Sequence, residues 1–182
     1  MTSTVIIIPS RLKAKRLPNK PLKLIKGKEI ILHVYNLAVK SGAGEVLVAT
    51  PDETISKLIE SNGGKSFLSK GSHETGTDRV FEAFKIFYSS KPKIIINLQG
   101  DMPNLDPNSI LFLSDYLNKG LCDVATLASS LKNKTEIENK SKKYTKQRHK
   151  PANCTNKTAC KAKFKQNNDD FNVKRWSFIF NI

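Results

Sequence analysis

No apolar run approaches the roughly 18 residues that a membrane-crossing helix needs, which excludes a transmembrane segment. The opening stretch MTSTVIIIPSR lacks a basic region before its short apolar run and lacks a small-residue cleavage site, so no secretory signal peptide is expected. Cysteine is scarce, with only Cys122, Cys154 and Cys160, too few and too unevenly placed for a disulfide scaffold. Cys154 and Cys160 also lack the close pairing of zinc ligands and have only His149 nearby. A GxxxxGK[ST] phosphate loop is missing as well. Together these absences predict a soluble, cytoplasmic protein without a membrane partner.

Acidic residues are also in short supply, 16 against 31 Lys and Arg, for a net charge of +15. The imbalance is uneven: residues 1–131 carry 17 basic and 12 acidic side chains, residues 132–182 carry 14 and 4. A basic stripe is the electrostatic footprint of a nucleic-acid binder. The shift here is abrupt and coincides with loss of hydrophobic periodicity, which favours a solvated tail over a nucleic-acid surface. Asn, Lys and Thr crowd residues 139–168, and no secondary structure is expected for most of this low-complexity-like stretch. Residues 176–180 (WSFIF) have strand character, but nothing nearby in sequence offers them a partner.

What precedes the tail has a clear rhythm. Thr4–Ile8, closed by Pro9, is a β-branched run that reads as a strand buried on both faces. Ile30–Lys40 is apolar at helical spacing and ends at Ser41-Gly42. Further strands are expected at Glu45–Thr50, Lys65–Leu68, Lys93–Leu98 and Asp123–Leu127. Further helices are expected after Pro51-Asp52 (with Ile55, Leu58 and Ile59 apolar), over Thr77–Tyr88, and over Asn108–Leu117. The second of these is expected to place Val80, Phe81, Phe84 and Phe87 on one face. Strands alternating with helices of 10–12 residues predict an α/β fold with a mostly parallel sheet and helices on both faces.

Ligands of such sheets sit at the carboxyl ends of the strands. Three loops occupy that position. The first, residues 9–21, carries Arg11, Lys13, Lys15, Arg16 and Lys20 between prolines 9, 18 and 21, a loop of fixed shape suited to a polyanion such as a nucleoside triphosphate. The second, residues 71–79 (GSHETGTDR), precedes a helix that Thr75 or Thr77 caps, leaving amide groups for an anion or a base edge. His73 taken alone reads as a structural histidine. In the third, Gln99-Gly100-Asp101, a carboxylate at a strand tip is poised to bridge Mg²⁺ to substrate phosphates.

On these residues the chain resembles the 3-deoxy-manno-octulosonate (KDO) cytidylyltransferases. VIIIPSRLKAKRLPNKPL is similar to their IIPARxxSxRLPxKPL, SHETGTDR to H-x-S-G-T-[DE]-R, INLQGDMP to VNxQGDEP, and DVATLA to the strand that follows. The resemblance covers residues 1–138 and implies a Rossmann-like nucleotidyltransferase fold. It implies the reaction of CTP with KDO to give CMP-KDO and diphosphate, with Mg²⁺, for lipopolysaccharide synthesis, and a homodimer. By the same resemblance Arg11, Arg16 and Lys20 hold the triphosphate, and His73, Gly76, Thr77 and Arg79 shape the cytidine pocket. Gln99 lies near nucleotide and sugar, Asp101 binds the metal, and Lys20 and Asp101 are the catalytic pair. A cytidylyltransferase for another acidic sugar is the neighbouring alternative, because the sugar-binding half of the pattern is not found.

Ser10 stands where the pattern has Ala, Lys15 where it has Ser, and Met102 replaces the Glu after QGD. The N-P-N-x-V-K-V strand and the late G-V-D-T-P-E-D segment have no counterpart, and the motif match ends near Asn139. Composition and resemblance fail together there. This points to an incomplete nucleotidyltransferase domain over 1–138, followed by a basic irregular tail, 139–182, that a frameshift or rearrangement introduced; loss of the C-terminal half predicts uncovered sheet edges and leaves two outcomes, retained transferase activity or none.

Overall fold

Strand β1 (Thr4–Pro9) is buried along its whole length, as its unbroken run of β-branched residues dictates. The structure, a computed structural model, describes residues 4–13, 17–88, 92–120, 124–130, 144–145, 173–175 and 178–181. Lys15, Arg16, Cys122, Asp123, His149, Cys154, Cys160 and Trp176 lie outside the described residues, as does most of the tail.

Along the chain follow a 3-10 turn (Lys20–Leu22), β2 (Leu24–Ile25), β3 (Lys28–Glu29), α1 (Ile30–Lys40), β4 (Glu45–Thr50), α2 (Glu53–Ser61), β5 (Lys65–Leu68), α3 (Gly76–Phe87), β6 (Ile94–Asn97), α4 (Pro107–Asn118) and β7 (Val124–Ala125). Short strands β8 (Ala128–Ser130), β9 (Tyr144–Thr145), β10 (Val173–Arg175) and β11 (Phe178–Asn181) complete the set. The main sheet has the order β5-β4-β1-β6-β11-β7. Strands β1, β4, β5 and β6 are parallel, with Ile6 level with Val46 on one side and Ile96 on the other. The chain therefore runs outward from β1 to β5, then crosses back to β6 on the far side of β1. That reversal opens a crevice at the tips of β1 and β6.

Alternation along β1 divides the core. Ile6 and Ile8 pack with Ile31 and Val34 of α1, Ile55 and Ile59 of α2, and Ile110, Leu113 and Leu117 of α4. Val5 and Ile7 face the other way, onto Val80, Ala83 and Phe84 of α3. Each fully buried aliphatic side chain contributes roughly 1.5–3 kcal/mol. Helices thus cover both faces, as expected. The α3 stripe differs in detail: Phe81 is 55% exposed and Phe87 40%, while Arg79 and Ala83 are buried. At 100° per residue Phe81 falls beyond the stripe that passes through Val80, Ala83 and Phe84. Its ring instead carries Lys85 Nζ 4.7 Å above the centroid.

The hairpin β2–β3 was not legible, because two-residue strands show no period. Its turn is marked only by Lys26-Gly27, both at positive φ (49° and 77°). At the other end of the chain β11 lies antiparallel between β6 and β7, and β8, β10 and β9 form a small antiparallel sheet. The strand character of residues 178–180 therefore finds its partner, Ile94–Asn97, more than 80 positions away in sequence, beyond the reach of any local reading. Among the described residues no helix is long and apolar enough to cross a membrane.

Candidate nucleotide site

The described parts of the cationic loop, on either side of residues 14–16, are tied down by backbone bonds. Ser10 N–H donates to Ala49 O at 2.9 Å, extending the β1–β4 ladder by one bond. Leu12 N–H donates to Asp52 Oδ2 at 2.8 Å, and Asn19 N–H closes back onto Leu12 O at 3.0 Å. Asn19 adopts the left-handed conformation (φ 56°), which Asn tolerates better than most residues. It starts the 3-10 turn Lys20–Leu22, whose Pro21 is buried. The turn aims Lys20 across the crevice, where its Nζ donates to Asp101 Oδ2 at 2.6 Å, a side chain 81 positions later.

Two glycines allow the three loops to close up. A Cβ on Gly100 would stand 3.0 Å from Pro9 O and 3.4 Å from Ile31 Cδ1. One on Gly76 would stand 3.2 Å from Pro9 Cγ. Pro9 thus sits between the start of α3 and the strand tip that carries Asp101, and larger residues would push these segments apart.

Thr75 caps α3 in a reciprocal box: its Oγ1 accepts Asp78 N–H at 3.2 Å, and its own N–H donates to Asp78 Oδ2 at 3.1 Å. The Thr75 hydroxyl also donates to Asp78 Oδ2 at 2.6 Å, and this bond first, then the one from the Thr75 N–H, holds the Asp78 carboxyl below its ordinary pKa. One residue earlier Thr77 Oγ1 accepts from Asn97 Nδ2 at 3.3 Å, and Asn97 Oδ1 accepts from Gln99 Nε2 at 3.3 Å. A polar chain therefore links the tip of β6 to the first turn of α3. Asn97 itself was missed in the sequence, though a fully buried amide ending the run Ile94-Ile95-Ile96 is a usable signal.

Arg79 is buried, its Nε donating to Ser69 Oγ at 3.3 Å. Burial, with repulsion from Arg11, lowers its pKa, and Asp52 and Glu82 oppose that shift. Arg11 and Arg79 therefore share one electrostatic neighbourhood, with Asp52 as counter-charge. His73 Nε2 faces Glu82 Oε2 at 3.0 Å. Arg16 lies outside the described residues.

A divalent cation would fit at Asp101. Its carboxylate is exposed and already engages a cationic group, the Lys20 ammonium. Among the described residues no three His, Cys, Asp or Glu side chains gather as a ligand set. One carboxylate plus substrate phosphates is a usual arrangement for Mg²⁺.

A cytidylyltransferase family model matches residues 5–173, beyond the point where the individual motifs end. The 3-deoxy-manno-octulosonate cytidylyltransferase of Brucella ovis is 40% identical over 125 residues, 68% of this chain and 50% of that protein. Its namesake from Methylobacterium radiotolerans is 36% identical over 140 residues, 76% of this chain and 57% of that one. The chain spans about half the length of these curated relatives. A structure of CMP:2-keto-3-deoxy-manno-octonic acid synthetase complexed with CTP superposes with a TM-score of 0.76 at 28% identity, covering 98% of this chain and 73% of the other. A cytidylyltransferase from Leptospira borgpetersenii superposes with a TM-score of 0.59 at 25% identity, over 69% of this chain and 54% of its own. With the sheet order, the three converging loops and a family match running through most of its length, this chain belongs to the cytidylyltransferase family.

Proposed function

We propose that the chain transfers CMP from CTP to 3-deoxy-manno-octulosonate, releasing diphosphate. The observation that carries this reading is the Lys20–Asp101 pair at the reversal point of the sheet, a cation and an anion set side by side where a metal–triphosphate binds. The choice of CTP is supported by the ligand named for the superposed synthetase, and the choice of sugar by the names of the relatives.

The anomeric hydroxyl of the sugar attacks the α-phosphorus, the α–β bridging bond breaks, diphosphate leaves with the bond electrons, and the hydroxyl proton passes to solvent. Arg11, Arg16 and Lys20 hold the triphosphate and offset its charge. The start of α3, with His73, Gly76, Thr77 and Arg79, shapes the cytidine pocket, and Gln99 orients nucleotide and sugar. Asp101 would hold Mg²⁺, which would supply neutralisation of the phosphate charge. Positioning and electrostatics suffice, without a covalent enzyme intermediate.

A location in the cytoplasm, where CTP is made, and a homodimer belong to the same proposal. So does the division at residue 138: sequencing the locus and finding a G-V-D-T-P-E-D-like segment in another frame supports it, and absence from every frame refutes it. Activity is tested by diphosphate release with CTP, KDO and Mg²⁺. Release that requires KDO and falls at least about 100-fold in Asp101→Asn supports the function; no release from folded wild-type protein overturns it.

A further inference from the structure

Asp52 occupies the N-cap position of α2, with extended backbone (φ −105°, ψ 113°), and Asp at that position ordinarily accepts a hydrogen bond from the first helical turn. Here its side chain makes no cap bond. Only its backbone carbonyl serves the helix, accepting Ile55 N–H and Ser56 N–H at 3.1 Å each. The carboxylate turns away and accepts the N–H of Leu12, 40 positions earlier, at 2.8 Å. Its own N–H donates to the hydroxyl of buried Thr50 at 3.1 Å, so the residue is anchored to β4.

Leu12 directly follows Arg11, and its carbonyl is the acceptor that closes the loop onto Asn19, next to Lys20. The bond to Asp52 thus holds Leu12, and the Asn19–Leu12 bond ties the far end of the cationic loop to that anchored residue. The same carboxylate also supplies negative charge to Arg79, countering the repulsion from Arg11. A helix cap forgone and a charged acceptor given to a backbone amide have one beneficiary. That beneficiary is the loop that bears Arg11 and Lys20.

We propose that Asp52 is a positioning residue of the triphosphate site: it pins Leu12 and holds the loop bearing Arg11 and Lys20 in its binding shape without itself touching the nucleotide. The ligand assignment rests on the function proposed above; the pinning of the loop does not.

Two variants separate the bond from the charge. Asp52→Ala removes both, whereas Asp52→Asn retains an oxygen acceptor for Leu12 and loses the charge. Amide hydrogen exchange in the free protein reads the loop directly. Leu12 should exchange about tenfold faster in Asp52→Ala, the scale of one hydrogen bond to a charged acceptor, with Val5–Ile8 unchanged. In steady-state kinetics, Asp52→Ala should raise KM for CTP about tenfold while kcat stays within about threefold, with Asp52→Asn between it and wild type. Unchanged exchange at Leu12 overturns the proposal, as does a fall in kcat with KM unaltered. Should Asp52→Ala not fold, Asp52→Asn gives the same two readouts at reduced size, and wild-type values for both overturn the proposal. Should wild-type protein show no turnover, the proposed function falls and the exchange measurement decides the role of Asp52 by itself.

Discussion

Lys20 Nζ stands 2.6 Å from Asp101 Oδ2, joining the turn that ends the first loop to the tip of the fourth parallel strand. The two side chains are 36% and 52% exposed, so water screens their attraction. Such a pair contributes about 0–1 kcal/mol to folding. Its placement across the crevice is therefore better explained by the roles proposed above for the two groups than by folding stability. Lys20→Gln should leave the melting temperature within about 3 °C of wild type and lower kcat/KM for CTP at least about 100-fold. A large drop in melting temperature with kcat/KM unchanged would show the pair to be structural.

The division of labour between legible and illegible features follows from distance along the chain. The buried run Thr4–Ile8, the helix Ile30–Lys40 and the strand Glu45–Thr50 are each specified by their own side-chain period, and they stand where that period puts them. The meeting of Lys20 with Asp101 was legible one level up, because loops at the tips of adjacent parallel strands must share a crevice. Asp52 was not. After Pro51 an Asp reads as a helix opener, and nothing local says that its carboxylate will leave the helix for Leu12. Asn97 was hidden for the same reason, its partners Thr77 and Gln99 being assembled only by the packing of α3 on β6. The strand Phe178–Asn181 depended on a partner far away in the chain.

Ser10 offers a test of the crevice floor. It is 5% exposed, its N–H is used by Ala49 O, and its hydroxyl has no hydrogen-bond partner among the described residues. A buried hydroxyl without a partner costs roughly 1–3 kcal/mol of desolvation. The resembling family has Ala there, which removes that cost and fills nearly the same space. Ser10→Ala should therefore be neutral or stabilising by about 1 kcal/mol in denaturant unfolding, with m unchanged. A loss of more than about 1 kcal/mol would mean that the hydroxyl is satisfied by bound water and belongs to the site's own network.

The cap of α3 makes stability depend on acid pH with a defined sign. Asp78 has its pKa lowered from 3.8, first by the Thr75 hydroxyl and then by the Thr75 N–H, with its own desolvation opposing. Both bonds favour the ionised form, so the folded state binds the proton less readily than the unfolded chain does. The contribution is present above the unfolded pKa and is lost as pH falls through the lower, folded value. Asp78→Asn should thus be less stable than wild type at about pH 6, and the gap should close below 3.8 as the wild-type carboxyl takes up its proton. Thermal unfolding of both proteins across that range decides it. A gap that stays constant down to about pH 2 would show that Asp78 acts through its shape and not through its charge.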